Sequence, residues 1–137
     1  MDGIAIFYPA FVLVFWTLVV LLMVGRRRFR AAHAGKVHAR DFAYGESANV
    51  PGEVLLPSRN FSNLLELPVL FYFACVVLYV TAKVDVWSVG LAWAFVALRI
   101  AHSVVHLTYN HVIHRLRVFA LGFMVLLALW IRIVAVI

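Results

Sequence analysis

The sequence predicts an all-α integral membrane protein built as a four-helix bundle, and three observations carry that expectation. Of its 137 residues, 66% are hydrophobic and only 13% are charged, which is far more apolar than a soluble domain. Four stretches, at about 4–24, 60–82, 86–110 and 118–137, approach the roughly 20 apolar residues a helix needs to cross a hydrocarbon core of about 30 Å. The charges gather at the connections between these stretches, as they do beside membrane spans. Only the segment at about 25–58 is long enough to be more than a short connection, so the chain reads as one transmembrane domain with one substantial loop.

The first stretch begins with Asp2 instead of basic residues and runs into "GRRRFR" without a small-residue cleavage pattern, so it reads as a retained span and not a secretory leader. Between residues 25 and 58 the hydrophobic periodicity fails and Gly35, Gly45, Pro51, Gly52 and Pro57 interrupt the chain, as in a loop. Its basic start suits anionic lipid headgroups. Ser58, directly after Pro57, is a plausible N-cap for the second helix. "TAKVDVW" is short enough to be only a tight turn between antiparallel helices. Trp87, Trp130 and Tyr8 fall near helix ends on one side, as in an interfacial aromatic belt. Arg132 lies late in the fourth stretch, where its long side chain can reach the far interface. "GLAWA" in the third offers small residues for close helix packing.

A net charge of +6 would suit nucleic acid in a soluble protein. Here Arg26, Arg27, Arg28, Arg30, Lys36, Arg40 and Arg59 fall on or beside the first connection, with Arg115 and Arg117 at the third. The second connection has only Lys83 beside Asp85. The partner this predicts is the lipid bilayer, not nucleic acid. Connections one and three face the cytoplasm and both termini lie on the opposite side, across the inner membrane if the source is bacterial. Cys75, the single cysteine, offers no intrachain disulfide and reads as a small packed residue.

Two polar stripes interrupt this apolar background. On a continuous helix, Arg59, Asn63 and Glu66 are spaced i, i+4, i+7 and share a face, with Asn60 near its edge. Arg99, His102, His106 and Asn110 form a matching face of the third stretch, with Ser103 beside it. A carboxylate at membrane depth must be paired, protonated or wet. The planar guanidinium of Arg99 is its natural counter-charge, so the simplest arrangement turns the two stripes towards each other. A pair that merely fixes helix register would need only two charges. The additional polar residues, reaching to a mouth beneath Arg115 and Arg117, are the pattern of a ligand or ion path. His102 and His106 have workable metal-ligand spacing, but no HExxH or Cys pair accompanies them and His111 projects elsewhere, so no metal site is expected.

Arg59-xxx-Asn63-xx-Glu66, followed by Pro68 and an aromatic run, resembles the second-helix signature of the MAPEG family, the membrane-associated proteins in eicosanoid and glutathione metabolism. "LRIAHSVVHL" resembles that family's third-helix segment, with Arg99 as the recurring arginine. The resemblance covers essentially the whole chain. It implies a homotrimer of four-helix subunits with glutathione lying between neighbours near the cytoplasmic side. By position it implies that Arg59, Asn63, Glu66 and Arg99 hold the tripeptide and that Arg28 meets one of its carboxylates. Arg115 resembles the arginine that stabilises the glutathione thiolate, with Arg117 as the alternative. His102 and His106 stand where the better-known synthases carry tyrosines, so by position they too would bind the cofactor, donating hydrogen bonds to the same groups, and a histidine's charge changes with pH.

The residue inventory is consistent with that implication, since glutathione's two carboxylates and ammonium call for arginines plus one acid. A thiol ionises at neutral pH beside a permanent cation. The expected activity is therefore glutathione transfer to, or peroxidase action on, a lipophilic small-molecule substrate. The alternative is a non-enzymatic membrane scaffold or lipid-binding protein whose polar seam is structural.

Overall fold

The computed structural model describes residues 2–137. Five α-helices follow one another: α1 (Phe7–His33), α2 (Gly52–Leu64), α3 (Leu67–Val80), α4 (Val86–Leu107) and α5 (Val112–Val136). α2 and α3 together form the second membrane-length segment, so four helical segments are long and apolar enough to cross a membrane. The outer surface bears large exposed side chains such as Phe11, Phe15, Leu22, Ile131 and Val134, which suits lipid and would be untenable in water. Ile6, Leu13, Phe71, Phe95, Leu129 and Ile133 belong to the buried centre of the bundle, where Cys75 is also packed.

The helices overrun the apolar stretches. α1 continues to His33 because arginine and alanine are good helix formers. It stops where Gly35 takes φ +69° and the Lys36 N–H returns to the Ala31 carbonyl at 2.9 Å, a glycine-ended C-terminal motif. Ser58 is not the N-cap expected of it. α2 already begins at Gly52 and carries Pro57 inside it, because Val54 docks with Ala31, Val37 and Val50 in a second small cluster. The Ser58 hydroxyl instead accepts a hydrogen bond from Arg28 Nη2 at 2.8 Å.

The first polar stripe does not lie on one continuous helix. Pro68 has no N–H for the Leu64 carbonyl, and its ring would collide with that carbonyl in a continuous helix. α2 accordingly ends at Leu64, Glu66 turns the chain at ψ −96°, and α3 starts with Pro68 in its first turn. The i, i+4, i+7 face therefore does not extend to Glu66. Similarly, α4 ends at Leu107. Asn110, expected on the α4 face, occupies the following turn at φ +45°, a left-handed conformation that asparagine tolerates better than most residues.

α4 and α5 are antiparallel and held in one register along their length. At one end Asp85, the N-cap of α4, accepts from the Ser88 N–H at 2.8 Å and pairs with Arg132 of α5 through both Nε and Nη2. Arg132, read in the sequence as reaching for the far interface, is instead held by a carboxylate at the end of the bundle. Further along, Arg99 Nη2 donates to the Phe119 carbonyl at 3.2 Å, and His102 Nδ1 donates to the Arg115 carbonyl at 3.2 Å. The close approach of the two helices is made at Gly122, where a Cβ would lie 2.6 Å from Arg99 Nη2. At Gly90, in the small-residue run singled out for packing, nothing lies within 4 Å of a Cβ, while Ala92 of that run is fully buried.

Candidate functional site

The polar stripe of α4 divides into two parts with different surroundings. Arg99 is 1% exposed, its guanidinium lying 5.2 Å from the Phe95 ring centroid and 4.8 Å from that of Phe119. Beside it, the buried Asn60 donates from Nδ2 to the Ser103 hydroxyl, tying α2 to α4. The direct Glu66–Arg99 pair expected from the sequence is not formed at this depth, although the two stripes do face each other nearer the α4–α5 turn, where Arg59 and Asn63 share a cavity with His106 and Asn110. Arg99 is turned to α5, no ion pair joins it to Glu66 among the described residues, and Glu66 is exposed at the α2–α3 break. The reason is the Pro68 break, which removes Glu66 from the α2 face that meets α4.

Nearer the α4–α5 turn the stripe opens. A cavity of about 340 Å³ is lined by Leu56, Arg59, Ser62 and Asn63 of α2, His106 and Asn110 at the end of α4, and Arg115 of α5. Arg115 is restrained on its wall, with Nη1 donating to Asn110 Oδ1 at 2.8 Å and to His106 Nε2 at 3.4 Å. For His106 Nε2 to accept, its ring must be neutral with the proton on Nδ1. A neighbouring cavity of about 210 Å³ shares Asn63 and Arg115, and otherwise presents His102, Val112, Leu116 and Phe119. A third, of about 440 Å³, shares Arg59 and Ser62 and brings in Arg28, Glu46 and Ser58 at the α1–α2 contact. There Arg28 lies 3.5 Å from Glu46 Oε1 and 4.5 Å from the Phe42 ring centroid.

Of the residues singled out in the sequence, Arg59, Asn63, His102, His106 and Arg115 thus surround two adjoining cavities, and Arg28 reaches the third. Arg99 and Glu66 line none of these three. Arg117 is exposed and lines none of them either, whereas Arg115 is half-buried on a wall that two of them share. Sequence reasoning did not give Asn110 its place as the partner of Arg115. The available signal was an asparagine just before a new helix, the residue type suited to a left-handed turn. Ser62 also escaped notice, since a lone serine near a helix end carries no distinguishing pattern. Among the described residues no three His, Cys, Asp or Glu side chains converge as metal ligands.

The cavity between Arg59, Asn63 and Arg115 is cationic and amide-rich, without a carboxylate on its wall. Arginines can take anionic oxygens in two-pronged hydrogen bonds, and the asparagine amides can both donate and accept. Those groups fit a small molecule bearing carboxylates. Four apolar helical segments with such a cleft at their arginine-rich end define an integral, multi-pass membrane protein of the four-helix-bundle class. The family model of the MAPEG family matches residues 6–135. The chain belongs to that family, whose membrane proteins are known for glutathione-related and eicosanoid metabolism. No curated protein and no solved structure matches it.

Proposed function

We propose that this protein binds glutathione in the cleft between α2 and the α4–α5 turn and acts as a glutathione transferase or peroxidase on lipophilic substrates. The observation that carries the reading is the position of Arg115, a restrained cation on the wall shared by a polar and a more apolar cavity. Glutathione supplies a nucleophilic thiol. Arg59 and Asn63 would hold its carboxylate end, with Arg28 as a further cation one cavity away, and Arg115 would favour the ionised sulfur because a guanidinium keeps its charge at any physiological pH. Val112, Leu116 and Phe119 offer an apolar wall for an electrophile arriving from the bilayer. The ammonium falls to Glu66, which is exposed on the bundle surface and would meet the tripeptide where a neighbouring copy of the chain covers it, as in a homotrimer.

The test uses purified protein in detergent, following conjugation of a general aromatic electrophile together with the melting temperature on adding glutathione. Arg115→Ala is expected to lose turnover while retaining part of the glutathione-induced rise in melting temperature. Turnover unchanged in that variant removes Arg115 from the mechanism.

A non-enzymatic scaffold is the second reading. It draws on Arg99, Asn60 and Ser103, whose contacts lie inside the bundle and serve helix packing. A melting temperature indifferent to millimolar glutathione favours it.

A further inference from the structure

We infer that the arginine-rich extension of α1 is a binding site for an anionic phospholipid, separate from the glutathione cleft and independent of that reading. α1 continues as regular helix from Val24 to His33, a distance of about 13 Å at about 1.5 Å per residue. Arg26, Arg27 and Arg30 share an arc of about 100° on this extension, at about 100° per residue. With Met23 they line an open cavity of about 230 Å³. Arg27 and Arg30 also border a second cavity of about 230 Å³ facing Lys36, Glu53 and Val54.

None of these three arginines meets an acceptor among the described residues. The acids close to this end are engaged elsewhere, Glu46 with Arg28 and Glu53 with Lys36 at 3.1 Å. Arg28 itself faces the opposite way, towards α2. The three guanidinium groups therefore form a stripe with no direct carboxylate partner among the described residues, at the end of a membrane-length helix.

The flank of that stripe identifies the occupant. Leu22 and Phe29 lie on the same side of α1, within about 60° of Arg26, and are 68% and 78% exposed. A partner must satisfy both surfaces, with anionic oxygens for Arg26 and Arg30 and hydrocarbon for Leu22 and Phe29. A phospholipid does so in one molecule, its phosphate at the arginines and an acyl chain along the two apolar side chains. A free phosphate would leave Leu22 and Phe29 bare. A nucleic acid would have to reach the level at which the apolar helix is immersed.

The experiment titrates the full protein, in neutral-detergent micelles, with phosphatidylglycerol, phosphatidylcholine or soluble glycerol phosphate, and follows the melting temperature. A saturable rise with phosphatidylglycerol alone is expected. Each arginine near an anionic lipid surface contributes about a fivefold gain in affinity, so Arg26→Gln/Arg30→Gln should raise the half-saturating lipid concentration roughly 25-fold. Arg40→Gln/Lys83→Gln removes the same charge elsewhere and should leave it unchanged. All these side chains are exposed, and the melting temperature without lipid reports whether each variant is folded. An equal response to phosphatidylcholine overturns the proposal, as does the same rise with glycerol phosphate. So does an unaltered titration in the Arg26/Arg30 double variant.

Discussion

Arg115 donates from Nη1 to Asn110 Oδ1 at 2.8 Å, and Asn110 offers that oxygen from a left-handed turn at φ +45°. The backbone that ends α4 thereby also aims the cation of α5. Glycine adopts the same φ without a penalty, so Asn110→Gly keeps the turn and removes only the grip on Arg115. A charge-assisted hydrogen bond of about 1.5 kcal/mol corresponds to roughly a tenfold loss of turnover, with stability lowered by no more than that same amount. Asn110→Ala should lose the same activity and a further ~1 kcal/mol of stability, because alanine resists the left-handed region. Conjugation rates and melting curves for the two variants check this.

Gly122 makes room for Arg99. A methyl group there would lie 2.6 Å from Nη2 and within 3.3 Å of Nε and Cζ, and the guanidinium is enclosed by Phe95 and Phe119. Gly122→Ala should therefore destabilise the bundle by about 1–3 kcal/mol, the range for overpacking a filled interior. Replacing the charge with a slimmer apolar chain removes the obstruction, so Arg99→Met/Gly122→Ala should recover most of the loss. Melting temperatures of the single and double variants decide the matter, and equal destabilisation in both would disprove it.

At the opposite end, hydrogen bonds from Arg132 hold the Asp85 carboxyl below the usual carboxylate range, opposed by partial burial and reinforced by the Ser88 N–H and hydroxyl. Its folded pKa is thus lower than the unfolded value of about 3.9. The resulting stabilisation is fully present above that value and is lost as the pH falls below it towards the folded pKa. Asp85→Asn retains an N-cap oxygen for α4 but abolishes the charge pairing with Arg132. The gap in melting temperature between wild type and Asp85→Asn should therefore narrow as the pH is lowered from about 6 to about 3. Asp85→Ala loses the cap as well, at a cost of about 1 kcal/mol.

Much of the architecture was legible because hydropathy is a local property. A run of apolar residues long enough to span hydrocarbon has little alternative to a helix, since every N–H and C=O must be satisfied within the segment. The tight turn after α3 was equally readable, although the structure adds Ala82 at φ +54° and a Lys83 N–H returning to the Leu78 carbonyl at 3.0 Å. Helix ends were less legible where they depended on docking. The early start of α2 rests on Val54 meeting residues of α1 and the loop, a contact between distant parts of the chain.

Within the candidate site, membership and orientation separate. Arg59, Asn63, His106 and Arg115 could be picked out as polar residues at the end of apolar helices, and they do converge. Arg99 and Glu66 were equally conspicuous, but they line none of these cavities and no direct ion pair joins them among the described residues. Charge complementarity proposes a partner but cannot specify the rotation of a helix, and here a single proline changed that rotation midway along the second segment.

By itself the sequence determined that this chain is a four-segment membrane bundle of the MAPEG family, with its arginines concentrated at one end. Tertiary structure alone decided which of those arginines is packed between helices, which is gripped by Asn110 and which stand free on α1. The physical reason is that a side chain's surroundings are set by helix breaks, register and close approach, all of which join residues far apart in the chain.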